Sequence, residues 1–204
     1  YEKALENAKE LSKTRIFAGN LFSKNVCEEL RFLDMPSVRF AVDIKACPLC
    51  ENGIDKVEFL LSANVGEDLK PLSKIASGGE LSRIMLAIKS VLSEKDGIST
   101  LVFDEIDTGV SGSAAQKIAV KLKQVSQSHQ VICVTHLAQI AAYADEHLFI
   151  SKSEHDGQTY TELKSLSFDE RKSELARIMG GFEVTSAMLE SAEQMLLSAN
   201  KVDK

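Results

Sequence analysis

The chain reads as an α/β protein, a largely parallel sheet with flanking helices, preceded by an N-terminal amphipathic helix and an antiparallel hairpin. Three observations predict this. Leu81, Ile84, Met85, Ile88, Val91 and Leu92 recur at helical spacing, and so do Ala115, Ile118, Ala119, Leu122 and Val125. Two short apolar runs, Ser99 to Phe103 and Gln130 to Val134, alternate with these helices. Continuous apolar strands joined by helices predict a parallel sheet covered on both faces, with functional residues beyond the strands' C-terminal ends.

The elements follow in order. From Leu5 to Phe32, the residues Leu5, Ala8, Leu11, Ala18, Leu21, Phe22, Val26 and Leu30 are interleaved with Lys, Glu and Arg, which predicts an amphipathic helix. Its periodicity fits the returning end of a longer antiparallel coiled coil and an ordinary surface helix equally well. Met35-Pro36 stops it, because proline lacks the amide hydrogen and drives its predecessor out of helical angles. This separates residues 1–34 from residues 35–204. Val38, Phe40, Val42 and Ile44 alternate along Ser37 to Ala46, and Val57, Phe59, Leu60 and Leu61 mark a second strand over Lys56 to Val65. The turn-rich stretch from Cys47 to Gly53 joins them as an antiparallel hairpin. Gly66 to Leu72 reads as a loop leading into Ser77. Farther on, Leu148 to Lys152 and Thr159 to Leu163 predict a hairpin around Asp156-Gly157, and two helices begin at Phe168 and Val184.

Composition bounds the function. At 204 residues, 44% hydrophobic and 26% charged, the chain can bury one substantial core. No stretch of 18 apolar residues exists and the N-terminus lacks the apolar segment of a secretion signal, which predicts a soluble cytosolic protein. The first residue is Tyr1 rather than Met, as expected of a piece of a longer chain. A net charge of -6 argues against a large DNA-binding face on this piece, and residues 1–45 hold eight Lys and Arg against seven Asp and Glu. Of the four cysteines, Cys27 and Cys133 read as small buried hydrophobes. Cys47-Pro48-Leu49-Cys50 reads as a tight turn with two reduced thiols, or as half of a zinc site lacking a second pair of matching spacing.

The chemistry concentrates in three places. Ser77-Gly78-Gly79-Glu80-Leu81-Ser82-Arg83 puts a hydroxyl and two glycines at a helix start. Ser77 with Glu80 is by itself an ordinary capping box, as is Ser167 with Glu170, but two glycines in a first turn cost about 1 kcal/mol each relative to alanine. Close approach of an anionic ligand accounts for them. Asp104-Glu105 end the strand Leu101-Val102-Phe103. There one carboxylate can hold Mg²⁺ while its neighbour, pointing the other way from an extended backbone, activates a water. His136, after Val131-Ile132-Cys133-Val134-Thr135, occupies the next strand end, where it suits phosphate sensing or a plain capping role. A phosphate-gripping Gly-x-x-x-x-Gly-Lys-Ser/Thr loop is missing: none of the eleven glycines is followed by lysine.

Taken together, Ser77 to Arg83 resembles the ABC ATPase signature, Leu101 to Glu105 resembles Walker B, Asp107 the D-loop aspartate and His136 the switch histidine. The continuation Asp104-Glu105-Ile106-Asp107-Thr108-Gly109-Val110-Ser111-Gly112 is similar to the RecN branch of the SMC-like ATPases, a likeness extended by Ser62-Ala63-Asn64, Lys74-Ile75-Ala76-Ser77 and Thr135-His136-Leu137. The resemblance implies the C-terminal half of an ABC-type ATPase head, with residues 1–34 as the returning coil and residues 35–204 as the head half. It also implies a cytoplasmic, nucleoid-associated repair ATPase that acts on DNA double-strand breaks and is inactive as this isolated piece. ATP and Mg²⁺ would be its cofactors, and DNA, a second head and an N-terminal Walker A half its partners, with no membrane. In that reading Asp104 holds Mg²⁺, Glu105 polarises water, His136 contacts the γ-phosphate, Asp107 links the two sites, and Ser77, Gly78, Gly79 and Glu80 cap the phosphates. Cys47-Pro48-Leu49-Cys50 is not a hallmark of the family, and Ala138 stands where proline is expected. Another SMC-like or nuclease-associated repair ATPase, or a non-enzymatic metal-bearing docking module around Cys47 and Cys50, are the alternatives.

Overall fold

The repeat beginning at Leu5 is carried by α1 (Glu2–Phe32) in the computed structural model, which describes residues 1–64, 66–74, 78–92, 96–155, 158–181 and 183–199. Two units form, Tyr1–Gly97 and Ile98–Lys204. In the first, Ala8, Val26 and Leu30 make the buried stripe of α1. The helix ends where the amide of Met35 donates back to the Leu30 carbonyl (2.9 Å) and Asp34 turns left-handed (φ 59), immediately before Pro36.

The helix packs on an antiparallel hairpin, β1 (Arg39–Cys50) and β2 (Gly53–Ser62). The approach is close because Gly19 faces β1: a Cβ there would lie 3.2 Å from Val42 Cγ1. Ser23 secures the contact, its hydroxyl donating to the Gly19 carbonyl (2.7 Å) and accepting from the Val42 amide (3.0 Å). Beside it, Phe22, Phe40 and Phe59 form a triangle with ring centroids 5.6 to 5.8 Å apart.

The hairpin corrects one expectation. Cys47-Pro48-Leu49-Cys50 lies in β1 and not in the turn, which shrinks to Glu51-Asn52, because the register slips between Ala46 and Cys50 and the extra residues are taken up as a bulge. The expected loop after Gly66 also contains structure: β3 (Lys70–Pro71) pairs with Leu60 and Leu61 of β2, and a 3-10 turn spans Leu72–Lys74. The last helix of this unit, α2 (Gly78–Leu92), packs on α1 and buries Ile84, Leu86, Ala87 and Ile88.

In the second unit β4 (Thr100–Phe103) and β5 (Gln130–Cys133) pair in parallel, with α3 (Gly112–Val125) between them in sequence. Leu101 and Phe103 are buried, but Val102 is 66%, Ile132 47% and Val134 53% exposed. The parallel pair is therefore covered on one face only, contrary to the two-sided cover predicted from its apolar strands; among the described residues it has two strands, and their second face meets no helix.

A short helix not expected from the sequence, α4 (Ala138–Ala141), follows β5. Ala138, Ala141 and Ala142 pack with Leu175 and Ala176 of α5 (Phe168–Gly180) and with Ala192 and Leu196 of α6 (Ser186–Ala199). Small side chains let these helices come close; a Cβ on Gly180 would collide with the Met188 sulfur. Arg171 fastens α5 to the end of α4 by donating through Nη2 to the carbonyls of Ala141, Ala142 and Ala144. The Ser167–Glu170 capping box at the start of α5 is formed, and the Glu170 carboxyl, bonded to Lys164 and to the Ser167 amide and hydroxyl, is held down to about 2. The second hairpin, β6 (Leu148–His155) and β7 (Gln158–Ser165), pairs as expected; its turn, Asp156-Gly157, lies outside the described residues.

Two outcomes follow. Gly19→Val should destabilise the chain by about 1–3 kcal/mol in urea unfolding, since the added methyls meet Val42; an unchanged midpoint would show that α1 can lift off β1 freely. His147 is half-buried, its Nδ1 lacks a partner, and burial and then Arg171 depress its pKa below the ordinary value. The unfolded chain then takes up a proton that the folded chain refuses, so stability present above about pH 6.5 should fall as pH drops through that value. Thermal melts between pH 7.5 and 5 should show the decline, and His147→Gln should flatten it.

Candidate functional site

Asp104 and Glu105 follow directly on β4, both exposed at its C-terminal end. Their geometry departs from the expected alternation of an extended chain. The Asp104 carboxylate turns back and accepts the Glu105 amide through Oδ1 (2.9 Å), and Glu105 itself is left-handed at φ 57. A glutamate rarely adopts that region, and surroundings must impose it. They do: Ile106, next in the chain, is 0% exposed, and the turn is closed by the Thr108 amide donating to the Glu105 carbonyl (3.1 Å).

Asp107 is buried, its side chain 3% exposed. One oxygen, Oδ2, accepts from the Thr135 hydroxyl (2.6 Å) and the His136 amide (2.9 Å), and stands 3.1 Å from His136 Nδ1. A buried carboxylate needs such donors, and here they come from the end of the neighbouring parallel strand. The His136 ring itself is 74% exposed, so the residue is anchored through its backbone amide while the imidazole stays at the surface. Thr135 locks the corner further by accepting the Leu137 amide (3.1 Å).

The structure thus brings Asp104, Glu105, Asp107 and His136 together at one sheet end. Thr135 belongs with them, its hydroxyl standing immediately before the strand-end histidine and donating to Asp107. The negative charge is felt nearby: the Cys133 thiol is pushed up to about 12, by burial first and then by Asp107 and Asp104. Such a field and an exposed carboxylate suit a hard cation that keeps waters and completes its shell with phosphate oxygens, so Asp104 fits Mg²⁺. Among the described residues no group of three or more His, Cys, Asp or Glu side chains makes an all-protein metal cage, around Cys47 and Cys50 or elsewhere.

The signature stretch lies in the first unit. Gly78 and Gly79 form the first turn of α2, Gly79 buried, with Glu80 half-buried beside them. Arg83, 8% exposed, is pushed below its ordinary pKa by burial against the pull of Glu80. Ser77 lies outside the described residues.

No family model matches the chain. It is similar to curated proteins: 45% identical over 185 residues to the DNA repair protein RecN of Halalkalibacterium halodurans, covering 88% of this chain and 33% of that protein. Against the DNA repair protein RecN of Bacillus subtilis it is 53% identical over 154 residues, covering 76% of this chain and 27% of that protein. The chain spans about a third of the length of these relatives. Among solved structures, the Smc head domain with a coiled coil and joint derived from Pyrococcus yayanosii matches with a TM-score of 0.55 at 25% identity, over 92% of this chain and 32% of that one. The fold is that of the C-terminal half of such a head.

Removing the buried acceptor should loosen the corner that carries His136. Asp107→Ala should cost about 2 kcal/mol or more in urea unfolding, and Thr135→Val about 1 kcal/mol. In both variants amide hydrogen exchange at His136 and Leu137 should quicken about tenfold or more; unchanged exchange there would show that the corner is held by other contacts.

Proposed function

Because the chain belongs to the RecN family of SMC-like ATPases, we propose that it supplies the signature and Walker B half of an ATPase head acting in repair of DNA double-strand breaks. The observation that carries this is the strand end where exposed Asp104 and Glu105 stand beside His136, with Asp107 tying the histidine down. In this reading Asp104 offers its carboxylate to Mg²⁺, which when bound neutralises charge on the ATP phosphates. Glu105, fixed by its left-handed backbone, takes a proton from the attacking water. His136 presents Nε2 to the γ-phosphate. Asp107 holds that histidine through its backbone amide, and in this reading the aspartate corner links the two ATP sites.

Ser77, Gly78, Gly79 and Glu80 would cap the phosphates of ATP bound to the Walker A loop of a second head, so that two heads sandwich the nucleotide. The remaining two thirds of the relatives' length leaves room for an N-terminal Walker A half, and the bare face of Val102, Ile132 and Val134 offers it an apolar seat. We read residues 1–34 as the returning end of a coiled coil and residues 35–204 as the head half, the isolated piece being unable to hydrolyse ATP. DNA is the partner of the whole protein. No helix among the described residues is long and apolar enough to cross a membrane, and we place the protein in the cytoplasm with the nucleoid.

Two variants of the full-length protein separate the roles. Glu105→Gln keeps size and hydrogen bonding but removes the base, so hydrolysis should fall by about 10²-fold or more while ATP-bound dimers accumulate. Ser77→Arg places a bulky cation in the capping site, so ATP should still bind while ATP-driven pairing of heads is lost. Light scattering with ATP distinguishes them; if both variants dimerise equally, Ser77 is only a helix cap and the sandwich is wrong.

A further inference from the structure

The ATPase reading leaves Cys47-Pro48-Leu49-Cys50 without a role. In an unbroken strand, residues three apart point to opposite faces with about 10 Å between them. Here Ala46 pairs with Asp55 and Cys50 with Gly53, so β1 advances four residues (46 to 50) while β2 advances two (55 to 53). The two extra residues bulge out and bring Cys47 round to the side of the strand where Cys50 acts on its thiol. Cys50 is exposed and Cys47 half-buried, and both are reduced.

The pair sits on a fixed frame. The Cys50 thiol also donates to the Gly53 carbonyl (3.3 Å), and the hairpin tip is tied to α1 by Arg15 Nη1 donating to the Asn52 carbonyl (2.8 Å) and by Ser12 donating to Asp55 (2.7 Å). Gly53, at φ 100, has Arg15 Nη1 3.3 Å from where a Cβ would be, so the tip is pressed against the helix. A frame that holds two thiols close to one another raises the effective concentration of each at the other. The other two thiols are differently placed: Cys27 donates to the Phe40 carbonyl (3.6 Å), and Cys133 is kept protonated beside Asp104 and Asp107.

We propose that Cys47 and Cys50 are a redox-active dithiol that closes to an intramolecular disulfide by exchange with a low-molecular-weight disulfide. The exposed Cys50 thiolate attacks one sulfur of the small disulfide; a Cys50–sulfur bond forms, the small S–S bond breaks and one small thiolate leaves. Cys47 releases its proton to solvent, its thiolate attacks the Cys50 sulfur, the Cys47–Cys50 bond forms and the second small thiolate leaves. Two protein thiols are oxidised by two electrons and one small disulfide is reduced to two thiols. The Cys47 thiol is raised above its ordinary pKa, by lost hydration first and then by Cys50, so the second step quickens as pH rises. Cytosolic disulfides of this kind are transient and redox-sensing. Closure would staple the bulge at the tip that Arg15 and Ser12 bind.

The test needs no nucleotide. The full chain is equilibrated in glutathione buffers of graded redox ratio, quenched with acid, alkylated and cut with trypsin; Lys45 and Lys56 flank a peptide, Ala46 to Lys56, that holds both cysteines and neither of the others. That peptide should appear unalkylated and two hydrogens lighter, with the ratio at half-oxidation about tenfold more reducing for folded chain than for chain in concentrated urea. Cys47→Ser should accumulate a glutathione adduct on Cys50, and Cys50→Ser should form its adduct on Cys47 more slowly. Coincident midpoints in the folded and unfolded chain, or a folded chain that stops at the Cys50 adduct, would overturn the proposal.

Discussion

The carboxylate of Asp107 is the interaction on which the candidate site depends. A charge 3% exposed is tolerable only with donors in place, and two reach the same oxygen, the Thr135 hydroxyl and the His136 amide. The parallel ladder holds β4 and β5 together along their length; the carboxylate holds their ends. With Ile106 fully buried just before it, the turn after β4 has little freedom left, and Glu105 is confined between a neighbour that takes its amide and one that is anchored in the core. Its left-handed backbone, a conformation that costs of order 1 kcal/mol or more, follows from those two anchors. The consequence is chemical: two carboxylates stay at the surface in a defined arrangement while a third is spent inside on geometry.

That arrangement concentrates negative charge where a strand ends. The Cys133 thiol registers it, since Asp107 and Asp104 add to burial in keeping the proton on sulfur. A divalent cation and a polyphosphate are the natural complement, the cation relieving the carboxylates and the phosphates completing its oxygen shell. The same strand end exposes Val102, Ile132 and Val134, an apolar surface uncommon on a parallel sheet. Both features fit the proposal of a half site completed by another segment of chain.

In the first unit the governing constraint is close approach. Gly19 lets α1 lie on β1 near enough for Ser23 to bridge helix and strand, and the triangle of Phe22, Phe40 and Phe59 fills the space beside that contact. Farther toward the hairpin tip the packing turns polar, with Ser12 and Arg15 gripping Asp55 and Asn52. The register slip is thereby held in one geometry, and two cysteines that a regular strand would keep apart become neighbours.

By itself the sequence determined the elements and the chemical vocabulary. Helical spacing of apolar residues marked α1, α2 and α3, Met35-Pro36 marked a stop, and the paired acids and the histidine at apolar strand ends marked the site, because periodicity and backbone restriction are local properties written into neighbouring residues. Tertiary structure decided the rest. The position of Cys47 depended on a register between two strands, which no single strand encodes. The short helix α4, four residues long, had too few turns to show a period and owes its place to Arg171 and the alanine contacts with α5 and α6. The bare face of β4 and β5 had the same apolar pattern that a covered face would have, since composition reports what a surface prefers and not what reaches it. The inward turn of Asp107 and the left-handed backbone of Glu105 arose from donors some 28 residues away in the chain and from a buried isoleucine, forces that act through space and leave no mark on the residues' own order.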